Sequence, residues 1–256
     1  MNRLITSING MGHAWMRVVS LLLLVVIWEI AAVTAQSRGL PEPWEVALSF
    51  YDNLIYGDLL SDLGITLLRV LAAFILAMVI GTAVGIVMGV RRSVDGMLDG
   101  WLILFLNIPA LVTIILCYVW FGLTEVAAIT AVAVNKIPNV IVTVREGARA
   151  IDRDLLEVAQ IFRVDPRRKF LRFFLPQLYP YLMVAGRSGI ALIWKIVLVV
   201  ELLGRSNGVG FQLNTMFQQF DIAGLLAYTL AFVAVMLLVE IGLVEPLERR
   251  MTRWRK

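Results

Sequence analysis

The sequence predicts an all-α, polytopic membrane protein with six spanning helices, and three observations carry that prediction. Hydrophobic residues make up 60% of the 256 and charged residues 16%, whereas soluble domains run near about 45–50% and about 25%. The mean hydropathy is accordingly high, +0.84. Six stretches are mainly apolar over the roughly 20 residues a helix needs to cross a hydrocarbon core about 30 Å thick. Finally, Lys and Arg crowd into alternate connecting segments, the pattern that sets orientation in a membrane.

The first span is read at 16–35, within "MRVVSLLLLVVIWEIAAV". This run resembles the core of a signal peptide, but "TAQSRGL" after it is a weak cleavage site, so it is taken as an uncleaved span. An acidic connection with Glu42, Glu45, Asp52 and Asp58 follows. The second span, 63–90, is too long to stand upright and is expected to tilt or project. Its Gly81, Gly85 and Gly89 recur every four residues on one face, read as close helix packing rather than a special dimer motif. The third span, 101–121, holds Asn107 and Pro109, which are expected to break the helix beside protein or water. The fourth, 126–144, carries Lys136 two residues before Pro138. The fifth and sixth are placed at 181–203 and 222–244. All 256 residues are thus read as a single transmembrane domain, with 145–180 as its one long inner loop.

Both ends are expected on the cytoplasmic side. The inner segments would then hold Arg3 and Arg17, Arg91 and Arg92, the run from Arg145 to Arg172, and Arg249, Arg250, Arg253, Arg255 and Lys256. The outer loops hold Arg38 and Arg205. The net charge of +4 is therefore a topology signal, and no nucleic-acid partner is expected.

The inner loop reads as two short helices. Asp154 is a suitable N-cap, with Glu157 three residues on completing a capping-box pattern. Leu155, Val158, Ala159 and Phe162 then follow i, i+3, i+4, i+7 as one apolar stripe. Asp165 and Pro166 form a second helix start, and that helix, with "RRKFLRFF", is expected to stop before Pro176. Helices this short are marginal in water and must dock, either on the membrane and the chain's own spans or on another protein.

Within the spans, ionisable groups are costly and usually face the bundle interior or a water path. Arg187 and Glu240 lie near span ends, where long side chains reach the interface. Glu29 and Glu201 lie toward outer ends, where either can reach interfacial water. Lys136 and Lys195, the latter beside Trp194, fall near mid-span. They either make a path attractive to an anion or pair with internal glutamates and lock the bundle. Asn107, Lys136, Trp194, Lys195 and Glu201 are the candidate path residues. "SNGVG" after the fifth span is a plain turn in preference to an anion-holding nest.

Absences narrow the function. No G-x-x-x-x-G-K-[ST] run is present, so the chain is not expected to cradle ATP phosphates. One histidine, His13, and one cysteine, Cys117, exclude a histidine-based metal cluster, a Ser/His/Asp set within the spans and an intrachain disulfide. No enzyme activity, metal or cofactor is expected of this chain alone.

The inner loop resembles the signature of the membrane subunits of bacterial ATP-binding-cassette importers: Glu-Ala-Ala, three residues, Gly, nine residues, Ile, one residue, Leu-Pro. Glu157, Val158 and Ala159 stand at the first three positions, Arg163 at the glycine, Phe173 at the isoleucine, and Leu175 and Pro176 match outright. "GLPEPWEVALSF", "IPNVIVTVREGARAIDRDLLEVA" and "WKIVLVVELLGRSNGVGF" are similar to the nitrate, taurine and alkanesulfonate permeases. The resemblance implies a type I importer permease fold in the bacterial inner membrane. It implies a homodimer of permeases, an ATPase dimer that binds ATP and Mg on the cytoplasmic side, and a periplasmic or lipid-anchored solute-binding protein. Leu155, Glu157, Val158, Ala159, Phe162, Arg163, Leu175 and Pro176 would couple to that ATPase. A left-handed turn costs a non-glycine residue about 1–2 kcal/mol, so Arg163 is expected to end its helix with a different turn. The implied solute is a small anion such as nitrate, taurine or another sulfonate. Importers of aromatic acids or vitamin precursors share the resemblance. An ATP-independent channel, a secondary transporter and an ATPase-anchoring scaffold remain the alternative classes.

Overall fold

The computed structural model describes residues 2–37 and 39–246, with side chains from 15 onward except 17, 243 and 244. His13, Arg3, Arg17, Arg38 and the tail cations Arg249 to Lys256 lie outside the residues or side chains so described. The described residues form helices joined by short turns: α1 (Asn2–Ala35), α2 (Pro43–Ile55), α3 (Leu59–Val90), α4 (Arg92–Asn107), α5 (Ala110–Phe121), α6 (Glu125–Arg149), α7 (Arg153–Ile161), α8 (Pro166–Lys169), α9 (Leu175–Gly204), α10 (Val209–Gln218) and α11 (Ile222–Val239). Single π-helical turns follow α8 (Phe170–Phe174) and α11 (Glu240–Val244). Among the described residues five helical stretches are long and apolar enough to cross a membrane, and six if α4 and α5 count as one span. That pair is bent by 98°. Ile108 is extended because the ring of Pro109 disfavours a helical residue before it. The expected break at Asn107–Pro109 is present.

The chain forms two compact units. One comprises residues up to Leu59 together with Leu213–Ala231, the other Leu60–Gln212 with the residues from Phe232 onward. In the first, Trp28 Nε1 donates to Pro41 O at 3.0 Å, fixing the turn between α1 and α2. Pro43 opens α2, and Glu42 and Glu45 close its capping box.

The second unit is built on α3, α6 and α9. α3 has 32 residues, about 48 Å of helix at 1.5 Å per residue. A Cβ on Gly81, Gly85 or Gly89 would fall 2.6, 2.9 or 2.5 Å from the Cβ of Val140, Val144 or Ala148. The glycine face is thus packed flat on α6, as the spacing suggested. α6 begins at Thr124, whose hydroxyl accepts from Ala127 N at 3.2 Å, and runs unbroken through Pro138 to Arg149. It extends past the expected end of the fourth span. α9 lies antiparallel to it: Gly147 meets the Tyr181 ring and Gly189 meets Lys136. One core joins Val70 and Ala73 of α3, Ile114 and Cys117 of α5, Ala128, Ala131 and Val132 of α6, and Ile193, Val197 and Val200 of α9.

Two local expectations are corrected. The helix begun at Pro166 does not stop before Pro176 but continues through the π turn into α9, a helical stretch of 39 residues to Gly204. Pro176 has no N–H, and its ring would crowd the carbonyl one turn back. The widened turn just before it absorbs both defects, with Leu175 N donating to Phe170 O. The N-cap of α7 is Asp152 rather than Asp154: its carboxylate accepts from Asp154 N at 2.9 Å and Leu155 N at 3.4 Å. Asp154 falls one position inside the helix.

Candidate functional site

At the α7 end, the segment 150–176 is anchored by a few specific contacts. Gln177 Oε1 accepts from Asp152 N at 2.9 Å, tying the start of α7 to the start of α9. Ile151, Phe174 and Leu178 are buried with Val140, Val144 and Ala148, and Leu156 packs against them. Ala159 is 1% exposed. It was expected on an outward stripe with Leu155, Val158 and Phe162, but the docked helix turns it inward. The apolar side chains left exposed are Leu155, Val158, Ile161 and Phe162, the last two at 77%. Ile161 was missed because it lies off the i, i+3, i+7 row. Glu157 and Arg163 are exposed, and Leu175 and Pro176 are half-buried.

The end of α7 corrects the expectation for Arg163. Its φ is +50°, the left-handed conformation that glycine adopts freely. Arg163 N donates to Gln160 O at 2.9 Å and Val164 N to Ala159 O at 2.9 Å. Those two bonds form a Schellman motif. The arginine therefore makes the turn that a glycine would make, at the strain this implies. Asp165 then caps α8 through Arg167 N and Arg168 N. The nearby end of α6 is braced on α4: Arg145 Nη1 donates to Asp99 Oδ1 at 2.6 Å, and Arg149 pairs with Asp95.

At the far end of α9 lies a cluster that the sequence reading did not assemble. Glu201 is fully buried, not reaching interfacial water as expected, and Asp62, Thr66 and Arg69 are buried beside it. The Glu201 carboxylate accepts from Thr66 Oγ1 at 2.9 Å, Arg69 Nη1 at 2.7 Å and Gly210 N at 2.8 Å. Arg69 also donates to Glu125 Oε1 at 2.6 Å and to Asn207 O at 2.9 Å. Arg205 reaches Glu125 Oε1 at 2.5 Å. Gly208 N donates to Asp62 Oδ1 at 2.8 Å and Val209 N to Thr66 Oγ1 at 2.9 Å. Gly208 has φ +98°, open to glycine but strained for other residues. In the "SNGVG" turn, Gly208 N and Gly210 N donate to the chain's own carboxylates and Val209 N to a hydroxyl. The available signal was the i, i+4, i+7 spacing of Asp62, Thr66 and Arg69, which puts three polar groups on one face of α3.

Between these ends a cavity of about 670 Å³ lies along α9 and the end of α11, with Arg187, Ser188, Trp194, Lys195, Met236 and Glu240 in its lining. Trp194 and Lys195 both face it, the Lys195 ammonium 5.5 Å from the indole centre. Lys136 stands behind the wall, 2% exposed, its ammonium donating to Ser188 Oγ at 3.4 Å. Neither lysine pairs with a glutamate among the described residues. Glu201 and Asn107 are not part of this group: Asn107 is exposed at the end of α4 and donates to Ile103 O at 2.7 Å. Among the described residues no set of three or more histidine, cysteine or carboxylate side chains could hold a metal.

The family model described as "Binding-protein-dependent transport system inner membrane component" matches residues 77–253. A protein of Bacillus subtilis (strain 168), named as an aliphatic sulfonates transport permease, is 27% identical over 246 residues, 95% of this chain and 89% of the relative. A protein of the same name from Escherichia coli (strain K12) is 32% identical over 190 residues, 73% of this chain and 72% of the relative. A crystal structure of an amino acid ABC transporter with histidines is similar in fold. Its TM-score is 0.61 at 18% identity, over 78% of this chain and 98% of that one.

Proposed function

The chain belongs to the binding-protein-dependent transport system inner membrane component family, a membrane permease of the ATP-binding-cassette kind, and from that premise we propose how it works. Two copies enclose a path for a small anion. A separate ATPase dimer, which binds ATP and Mg, docks on α7 of each copy from the cytoplasm, and a solute-binding protein delivers cargo from the other side. The relatives named for aliphatic sulfonates support a sulfonate-like solute.

The observation that carries this reading is the exposed apolar surface of α7, made by Leu155, Val158, Ile161 and Phe162 on a helix held firmly at its own keel, Ala159. An apolar patch on a short helix among polar side chains is a surface for a partner. Closure of the ATPases on ATP would push α7, and α7 is hydrogen-bonded to the start of α9 through Asp152 and Gln177. α9 and α6 pass the displacement into the spans, which switch between inward- and outward-open states. The permease contributes differential affinity between those states rather than chemistry.

The test is ATP turnover by the chain reconstituted with the ATPase and binding protein encoded beside it. Turnover should rise when the binding protein is loaded with its solute, and solute should accumulate in the vesicles. Solute passage without ATP would make it a channel or secondary transporter. ATPase binding with no response to solute would make it a scaffold.

A further inference from the structure

A second cleft, of about 430 Å³, lies where the end of α3, α7 and the π turn before α9 come together. Its apolar wall includes Ile86 and Val90 of α3, Leu156 of α7 and Phe170, whose ring stacks on Phe174 with centroids 5.3 Å apart. Arg91 and Lys169 complete the lining, and no carboxylate is part of it. Among the described residues neither cation forms an ion pair; Lys169 donates to the Gln160 amide oxygen at 3.3 Å. The acid nearest to each in sequence is already engaged. Asp95 pairs with Arg145 and Arg149, and Asp165 caps α8 through Arg167 N and Arg168 N.

We infer that this cleft holds an anionic phospholipid, with one acyl chain along Ile86, Val90 and Phe170 and the phosphate at Arg91 and Lys169. The depth fits. α3 is apolar enough to cross a membrane as far as Val90, and Arg91 follows directly, so the apolar wall lies at hydrocarbon level and the cations at headgroup level. Val90 and Phe170 are exposed, as residues covered by a lipid chain would be. A zwitterionic lipid would bring its own ammonium close to two cations, whereas a net negative headgroup meets both favourably. The cleft also lies on a different face of α7 from the surface proposed for the ATPase. Leu155, Val158, Ile161 and Phe162 are exposed there, whereas Leu156 packs on the core around Phe174. From the transport reading the inference takes only the cytoplasmic placement of this end. Such a lipid would sit at the joint of α7 and α9, where the coupling movement begins.

The purified chain in detergent would be titrated with phosphatidylglycerol or phosphatidylcholine, and the lipid retained read by native mass spectrometry. Phosphatidylglycerol should be held, with phosphatidylcholine weaker by about tenfold or more. Arg91→Gln with Lys169→Gln should weaken phosphatidylglycerol by about tenfold or more. Val90→Trp, which fills the cleft and keeps both cations, should weaken it as well. Arg92→Gln with Arg168→Gln removes the same charge outside the lining and should change retention by less than about threefold. All these side chains are exposed or half-buried, so the variants should melt like the parent. Equal retention of the two lipids, or unchanged retention in the Arg91/Lys169 variant, would overturn the inference. Equal loss in the Arg92/Arg168 variant would reduce it to general surface attraction and overturn it too. Excess inorganic phosphate should leave the lipid bound; displacement would make the cleft a site for a soluble anion and refute the lipid. If the Arg91/Lys169 variant keeps its lipid but loses the ATPase, the cleft belongs to the ATPase contact and the inference fails. Solute-stimulated turnover is read separately, so failed lipid retention beside intact turnover would refute the cleft and leave the transport reading standing.

Discussion

The two ends of α9 solve opposite problems. At its C-terminal end, Glu201, Arg69, Thr66, Asp62 and the "SNGVG" N–H groups are buried together, with named partners for each of their charges. At its N-terminal end, the attached α7 leaves Ile161 and Phe162 bare in a stretch rich in charge. About 45 Å of helix separates the two ends, at 1.5 Å per residue for 30 residues. Where the chain satisfies its own polar groups, the result is rigidity. Where it leaves apolar side chains unsatisfied near water, the result is a surface for something else.

The sharpest way to break this comparison is to damage the first end and look for effects on the second. Glu201→Ala leaves Thr66 Oγ1 and Gly210 N buried without their acceptor and Arg69 held by Glu125 and Asn207 alone, and should cost about 1–3 kcal/mol for each donor left unpaired. It would be read as a lower melting temperature and poor recovery from the membrane. Protein that does fold should still bind the ATPase; loss of binding from a well-folded variant would show that the two ends are not separable. A smaller effect is expected when both partners go. Arg69→Met with Glu201→Leu should cost less than the sum of the two single changes by about 1 kcal/mol or more. Strict additivity in the melting series would mean that the pair is not the centre of the cluster.

The smallest effect lies at the other end. Arg163 holds a left-handed φ of +50° that glycine adopts without strain, so Arg163→Gly should stabilise the turn by up to about 1–2 kcal/mol. Native-state hydrogen exchange of Val164 N and Arg163 N, which close the Schellman motif, would report it. Faster exchange in the variant would place the strain elsewhere.

Much of the fold was legible because hydrocarbon length is a strong constraint. Spans, the bend at Pro109 and the close helix packing on the glycine face of α3 follow from apolar runs, proline and four-residue spacing, whereas the identity of its partner, α6, does not. The continuation through Pro176 was not, since a π turn adds one residue to a turn without any change in composition. The choice of Asp152 over Asp154 depends on which carboxylate the docked helix leaves facing its own N–H groups. The cluster at Glu201 was hidden for another reason: Thr66 and Glu201 are 135 residues apart, and no local pattern joins them. Asp62, Thr66 and Arg69 advertised one half of it. The outward row on α7 was half legible, because periodicity finds an apolar face but not which of its members the tertiary fold turns inward, as it does Ala159.

The central claim, that α7 couples a separate ATPase to the spans, is tested most directly by Phe162→Asp. The variant should insert and melt like the parent, because Phe162 is 77% exposed and holds no internal contact that the fold needs. Co-purification with the ATPase and solute-stimulated turnover would then be measured side by side with the parent. The expected result is loss of both, with ATPase binding weakened by roughly tenfold or more. An inserted, stable variant that retains the ATPase and its full solute-stimulated turnover would contradict the claim.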